Sequence, residues 1–140
     1  MDEDPEVRRI MDEKMKAFLD RRLAEDPRDD EPNGVIDVSD SDFAERILRA
    51  SVPAVVDFWA SWCGPCIDME PVFLRVAARH KEKMVFGRLN VDANRATAMA
   101  HFVRSIPTMV IFQDGEEKGR VVGRVSEQEL ETAIMPYISG

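Results

Sequence analysis

The run Cys63-Gly64-Pro65-Cys66 holds both cysteines of the chain, and it follows directly on a short apolar stretch, Val55-Val56-Asp57-Phe58-Trp59-Ala60, with a second tryptophan at Trp62. An apolar, β-branched run of this length reads as a buried strand. Two residues of spacing set Cys63 just before the first turn of a helix and Cys66 one turn further on, close enough to close a small disulfide ring. At a helix start the unpaired backbone N–H groups and the positive end of the dipole favour a thiolate over a thiol. Cys63 is therefore the candidate nucleophile, with Cys66 behind it. Gly64 lets the backbone approach closely, and Pro65 suits the first turn, where its missing N–H leaves no intrahelical bond unmade.

Composition narrows the function. A chain of 140 residues with a net charge of −8 lacks the basic face that phosphate binding requires, so nucleic acid is not an expected partner. It contains no long uncharged apolar run, so a membrane span is not expected. The start Met-Asp-Glu-Asp is unlike a basic secretory leader, and the cytoplasm is the expected location. There a lone cysteine pair points to redox cycling or metal binding rather than to a structural staple. Zinc needs four ligands, and His80 and His101 are far apart with no close second pair, so no metal site is expected.

From Asp4-Pro5, apolar residues recur at helical steps as Val7, Ile10, Met11, Met15, Phe18, Leu19 and Leu23, which predicts an amphipathic helix ending before Asp26-Pro27. The charged stretch to Gly34 reads as a linker, dividing the chain into an arm of residues 1–33 and a domain of residues 34–140. The arm either packs on its own domain, leaving a monomer, or binds a partner or a second copy. Val35 to Val38 reads as a strand, Ser39 to Asp42 as helix caps ahead of Phe43, Ile47 and Leu48, and Ala54 to Trp59 as the central strand. A helix from Pro65 to about Arg79 contains Pro71; Met84 to Val91 reads as an alternating strand and Ala96 to Phe102 as a short helix. Asp114-Gly115 turns Met109–Phe112 back through Val121-Val122 as a hairpin, and Ser126-Glu127-Gln128-Glu129 is a capping box for a last helix carrying Leu130, Ile134 and Tyr137. This order predicts an α/β fold: a central mixed β-sheet flanked by helices on both faces, plus the N-terminal amphipathic helix.

The segment Asp57-Phe58-Trp59-Ala60-Ser61-Trp62-Cys63-Gly64-Pro65-Cys66 resembles the active-site run of the thioredoxin family, and Pro71, Ile106-Pro107-Thr108 and Gly123 match the family in the right order downstream. The resemblance covers about Val35 to Gly140. It implies a thioredoxin fold, no bound cofactor beyond the Cys63–Cys66 disulfide, and a thioredoxin reductase and protein disulfides as partners. It also implies a substrate-binding rim of Trp62, Gly64, Pro65, Ile106, a cis Pro107, Val122 and Gly123, with Trp59 in support. Arg88 stands where the family has a lysine beside the buried acid, and a permanently charged Arg would hold Asp57 ionised more firmly. Ile67 replaces a common basic residue after the second cysteine. Arg124 replaces a small residue and implies acidic substrates or a particular reductase.

Thiolate chemistry gives the expected mechanism: Cys63 attacks a substrate disulfide and Cys66 resolves the mixed disulfide. Asp57, a carboxylate inside an apolar strand, is expected to have a raised pKa and to take the Cys66 proton. Two readings of function stand at this point. One is a cytoplasmic dithiol protein-disulfide reductase. The other is an interaction module of the same fold whose N-terminal helix binds a partner.

Overall fold

The computed structural model describes residues 34–139; the expected helix from Val7 to Leu23 and its linker lie outside them. Among the described residues one sheet contains β1 Val35–Asp37, β2 Ala54–Trp59, β3 Val85–Asn90, β4 Thr108–Gln113 and β5 Glu116–Val122, in the order β1-β3-β2-β4-β5. The α-helices among the described residues are α1 Gly64–His80, α2 Arg95–Ala100 and α3 Glu127–Ile138. β3 runs parallel to both β1 and β2, whereas β4 is antiparallel to β2 and β5. The sheet is mixed, and β2 is its central strand.

Successive side chains of a strand point to opposite faces. Val56 and Phe58 of β2 join Leu89, Val110 and Phe112 in one core, closed by Phe43, Ile47 and Ala98. Val55 points the other way, with Phe86, Met109 and Ile111, into a core closed by Met69, Phe73 and Val76 of α1 and by Leu130, Ile134 and Ile138 of α3. Helical elements therefore cover both faces. For this reason β3 is buried from Val85 to Leu89. Gly87 leaves room there for Ile47, whose Cδ1 is 3.3 Å from where a Cβ would sit.

The segment behind Ser39–Asp42 is a π-helical turn, Ala44–Leu48, in which Arg49 N–H reaches Ala44 O at 2.9 Å. Asp42 turns its carboxylate back to Ser39 N–H at 2.7 Å. Asp40 does not cap this turn; it accepts from Thr97 N–H at 2.9 Å and Thr97 Oγ1 at 2.6 Å, capping α2 across the fold, and the Thr97 bonds lower its pKa. The hairpin and last helix form as expected. Asp114 (φ 55°) and Gly115 (φ 80°) supply the two left-handed residues of a tight turn. Ser126 Oγ accepts from Glu129 N–H and Glu129 Oε1 accepts from Ser126 N–H, each at 3.1 Å.

Candidate active site

β2 delivers the chain to the cysteines. Beyond Trp59 it passes Ala60, Ser61 and Trp62 and enters α1 with Cys63 as the N-cap, in extended backbone geometry. Cys63 and Cys66 are joined as a disulfide, with Cα atoms 5.2 Å apart. Cys63 Sγ accepts from Cys66 N–H at 3.2 Å, so one unpaired donor of the helix start is aimed at the first sulfur. No acidic side chain occupies the first turn of α1 to oppose a thiolate there. Both cysteines are buried, Cys66 fully and Cys63 at 4% exposure, and they pack with Ala60, Trp59, Val91 and Ile106.

An apolar rim surrounds this pair. Trp62 is 69% exposed, Val122 58% and Ile67 55%. Trp62 is steadied by its indole N–H, which donates to Asp92 Oδ2 at 2.8 Å. Ile106 O lies 3.8 Å from Cys63 Sγ, and the Ile106–Pro107 peptide is cis. Gly123, in left-handed geometry at φ 92°, donates its N–H to Pro107 O at 2.8 Å, while Val122 pairs with Thr108 in register. Of the rim residues named from sequence, Ile106 is thereby set against the Cys63 sulfur, and Pro107 is tied to Gly123. At Gly64 a Cβ would meet nothing within 4 Å, so the position opens onto free space rather than onto a neighbouring part of the chain. Arg124 does not stand free, since its Nη1 donates to Asp68 Oδ2 at 2.8 Å.

Asp57 lies on β2, six residues before Cys63. By strand alternation it shares the α1 face with Val55, and it is fully buried, between Arg88 of β3 and Met109 of β4 in register. Neither carboxylate oxygen has a hydrogen-bond partner among the described residues. Burial pushes its pKa up to about 6; Arg88 opposes that rise and Glu70 adds to it. Arg88 does not hold Asp57 as firmly as its permanent charge suggests. Its Nε is 3.6 Å from Asp57 Oδ2, its Nη1 donates to Glu70 Oε2 at 2.6 Å, and its guanidinium lies 4.2 Å from the centroid of a Trp59 ring.

Glu70 and Asp92 went unnoticed in the sequence. Glu70 follows Cys66 by four residues and so falls on the same face of α1, which is the pattern by which it was findable. Asp92 follows β3 by two residues, and nothing local ties it to Trp62. His80 and His101 do not converge: His80 Nε2 is 2.7 Å from Glu131 Oε1, and His101 packs edge-on to Phe112, where burial lowers its pKa. Among the described residues no group of three or more His, Cys, Asp or Glu side chains is placed to hold a metal ion, and no helix is long and apolar enough to cross a membrane.

Comparison with known proteins places this geometry. The family model Thioredoxin matches residues 34–136. A chloroplastic M-type thioredoxin of Brassica napus is 40% identical over 109 residues, which is 78% of this chain and 62% of that protein. A second, of Spinacia oleracea, is 40% identical over 105 residues, covering 75% of this chain and 58% of that protein. The thioredoxin of Porphyra purpurea is 37% identical over 105 residues, covering 75% of this chain and 98% of that protein. The chain therefore spans less than two thirds of the first two relatives and nearly all of the third.

The cytoplasmic location expected from the acidic start is corrected by these relatives, two of which are named as chloroplastic. The physical reason is that a redox-cycling pair suits any reducing compartment, so neither the cysteine count nor the charge of the first residues distinguishes one from another. With a family match over 103 of 140 residues and a full-length relative at 37% identity, the chain belongs to the thioredoxin family, and Cys63 and Cys66 are its redox-active pair.

Proposed function

We propose that the chain is a thiol-disulfide oxidoreductase that reduces disulfides of other proteins and is itself re-reduced by a thioredoxin reductase. The observation that carries this reading is Cys63 at the N-cap of α1, bonded to Cys66, with the exposed Trp62 and Ile67 flanking the pair in the chain. In the reduced state the Cys63 thiolate attacks one sulfur of the substrate disulfide. A Cys63–substrate bond forms, the substrate S–S bond breaks, and the second substrate sulfur leaves with the electron pair. Cys66 then gives its proton to the Asp57 carboxylate and attacks Cys63 Sγ. The Cys63–Cys66 disulfide closes, and the substrate departs with both sulfurs reduced.

Asp57 suits the second step because its pKa of about 6 lets it accept a proton and release it near neutrality. Trp62, Ile67 and Val122 offer apolar contact beside the sulfur, and Gly64 and Pro65 allow close approach. Pro107 O is already taken by Gly123 N–H, so backbone pairing with an extended substrate falls to Ile106. The two cysteines have unequal roles in this scheme, and the test exploits that. With dithiothreitol as donor, the full chain should reduce insulin catalytically. The Cys63→Ser variant should be inert, whereas Cys66→Ser should react once and remain as a mixed disulfide visible by mass. Equal single-turnover reactivity of the two variants would sink the assignment.

A further inference from the structure

The charged groups acting on Asp57 come from two elements. β3 supplies Arg88 and α1 supplies Glu70; β4 sets Met109 opposite, α1 adds Cys66 to this side of the fold, and α3 contributes apolar Leu130 and Ile134 to the same core. A guanidinium has a planar fork that fits a carboxylate with two parallel bonds, and a buried carboxylate without partners is the natural place for it. The fork is used elsewhere. Arg88 Nη1 donates to Glu70 Oε2 at 2.6 Å, whereas Nε stays 3.6 Å from Asp57 Oδ2 and is itself without a hydrogen-bond partner. The Glu70 side chain is 46% exposed, so water could satisfy it without Arg88.

We infer that Glu70 is a positioning residue: it draws the Arg88 guanidinium over Trp59 and so prevents the bidentate bond to Asp57 that would fix that carboxylate as a permanent anion. This rests on the proposed role of Asp57 as the proton acceptor. Removing Glu70 has two effects of the same sign. Arg88 becomes free to turn its fork onto Asp57, and a negative neighbour disappears; both weaken the hold of Asp57 on a proton. A weaker base takes the Cys66 proton less readily, so release of substrate slows at neutral pH and the acid limb of that step moves down.

The test compares the wild-type full chain with Glu70→Ala, a substitution that helix propensity favours at this partly exposed position. The Asp57 carboxyl carbon is titrated by NMR in the oxidised protein, and the resolving step is timed from pH 5 to pH 9 on a preformed mixed disulfide. The expected result is an Asp57 midpoint lower by about half a pH unit or more, with the acid limb moving by the same amount. An unmoved or raised midpoint overturns the inference, whatever happens to the rate. The two ideas remain separable. If Asp57→Asn resolves as fast as wild type, the proton-acceptor role is lost, and a lowered midpoint in Glu70→Ala still supports the hold of Glu70 on Arg88.

Discussion

Replacing Asp57 by Asn separates the energetics of the buried carboxylate from everything around it. The side chain is fully buried with neither oxygen bonded, and burial raises its pKa from an ordinary 3.8 to about 6. At about 1.4 kcal/mol for each pH unit, that displacement destabilises the folded state by on the order of 3 kcal/mol once the group is ionised. The sign follows from proton counts. Between pH 4 and pH 6 the folded chain holds the Asp57 proton and the unfolded chain has lost it, so this group subtracts stability as pH rises and its penalty is complete above about pH 6. Asn is nearly isosteric with the neutral acid and never ionises. The variant should therefore match the wild type near pH 4 and exceed it at pH 8 by on the order of 3 kcal/mol, or roughly 1–3 M in urea midpoint. Urea unfolding of both oxidised proteins at the two pH values measures this. A gap of equal size at both would refute the reasoning, and no gap at pH 8 would mean that Arg88 or water satisfies the carboxylate.

Two further outcomes follow. Ser126→Ala removes the Oγ that accepts from Glu129 N–H at the start of α3, leaving only the backbone half of the capping box, and should lower stability by about 1 kcal/mol, read as a fall of roughly 4–8 °C in Tm, with disulfide reduction unchanged. The division at residue 33 is a proposal of the same standing: a chain beginning at Gly34 should fold and reduce a small disulfide as fast as the full chain. If activity on protein substrates alone falls, the first 33 residues contribute to partner binding; if small-disulfide activity falls with the fold intact by circular dichroism, the boundary is misplaced.

What was legible in the sequence was local. β2 came with its bounds, Ala54 to Trp59, because an apolar run enclosed between Pro53 and the cysteine motif leaves little choice of register. The Asp114-Gly115 turn and the Ser126–Glu129 box were readable because their chemistry lies within four residues. Asp57 stood out by breaking the pattern of its own strand. β3 was readable as a strand, Met84 to Val91 against the observed Val85–Asn90, because Val85, Gly87 and Leu89 alternate with Phe86, Arg88 and Asn90. Asp40 capping α2 and Asp92 holding Trp62 are long-range choices made by side chains once the backbone has folded. Arg88 belongs with these. Its place beside Asp57 was named only through the family resemblance, and its shorter bond to Glu70 depends on how α1 lies across the sheet.

An arginine in the middle of a doubly covered sheet has few ways to keep its charge solvated, and that bears on the base role proposed for Asp57. Arg88 is 8% exposed, too little for water to carry the guanidinium alone. Pairing it fully with Asp57 would satisfy both charges, but it would also lower the pKa of the carboxylate below the range where it can take a thiol proton. The observed arrangement divides the charge instead. Trp59 offers the face of its ring at 4.2 Å, Glu70 accepts the short bond from the outer side, and Asp57 feels Arg88 only at 3.6 Å. Burial then outweighs that attraction and leaves the carboxylate near pH 6. On the proposed mechanism, the proton chemistry at Cys66 thus depends on Glu70, a half-exposed residue of α1.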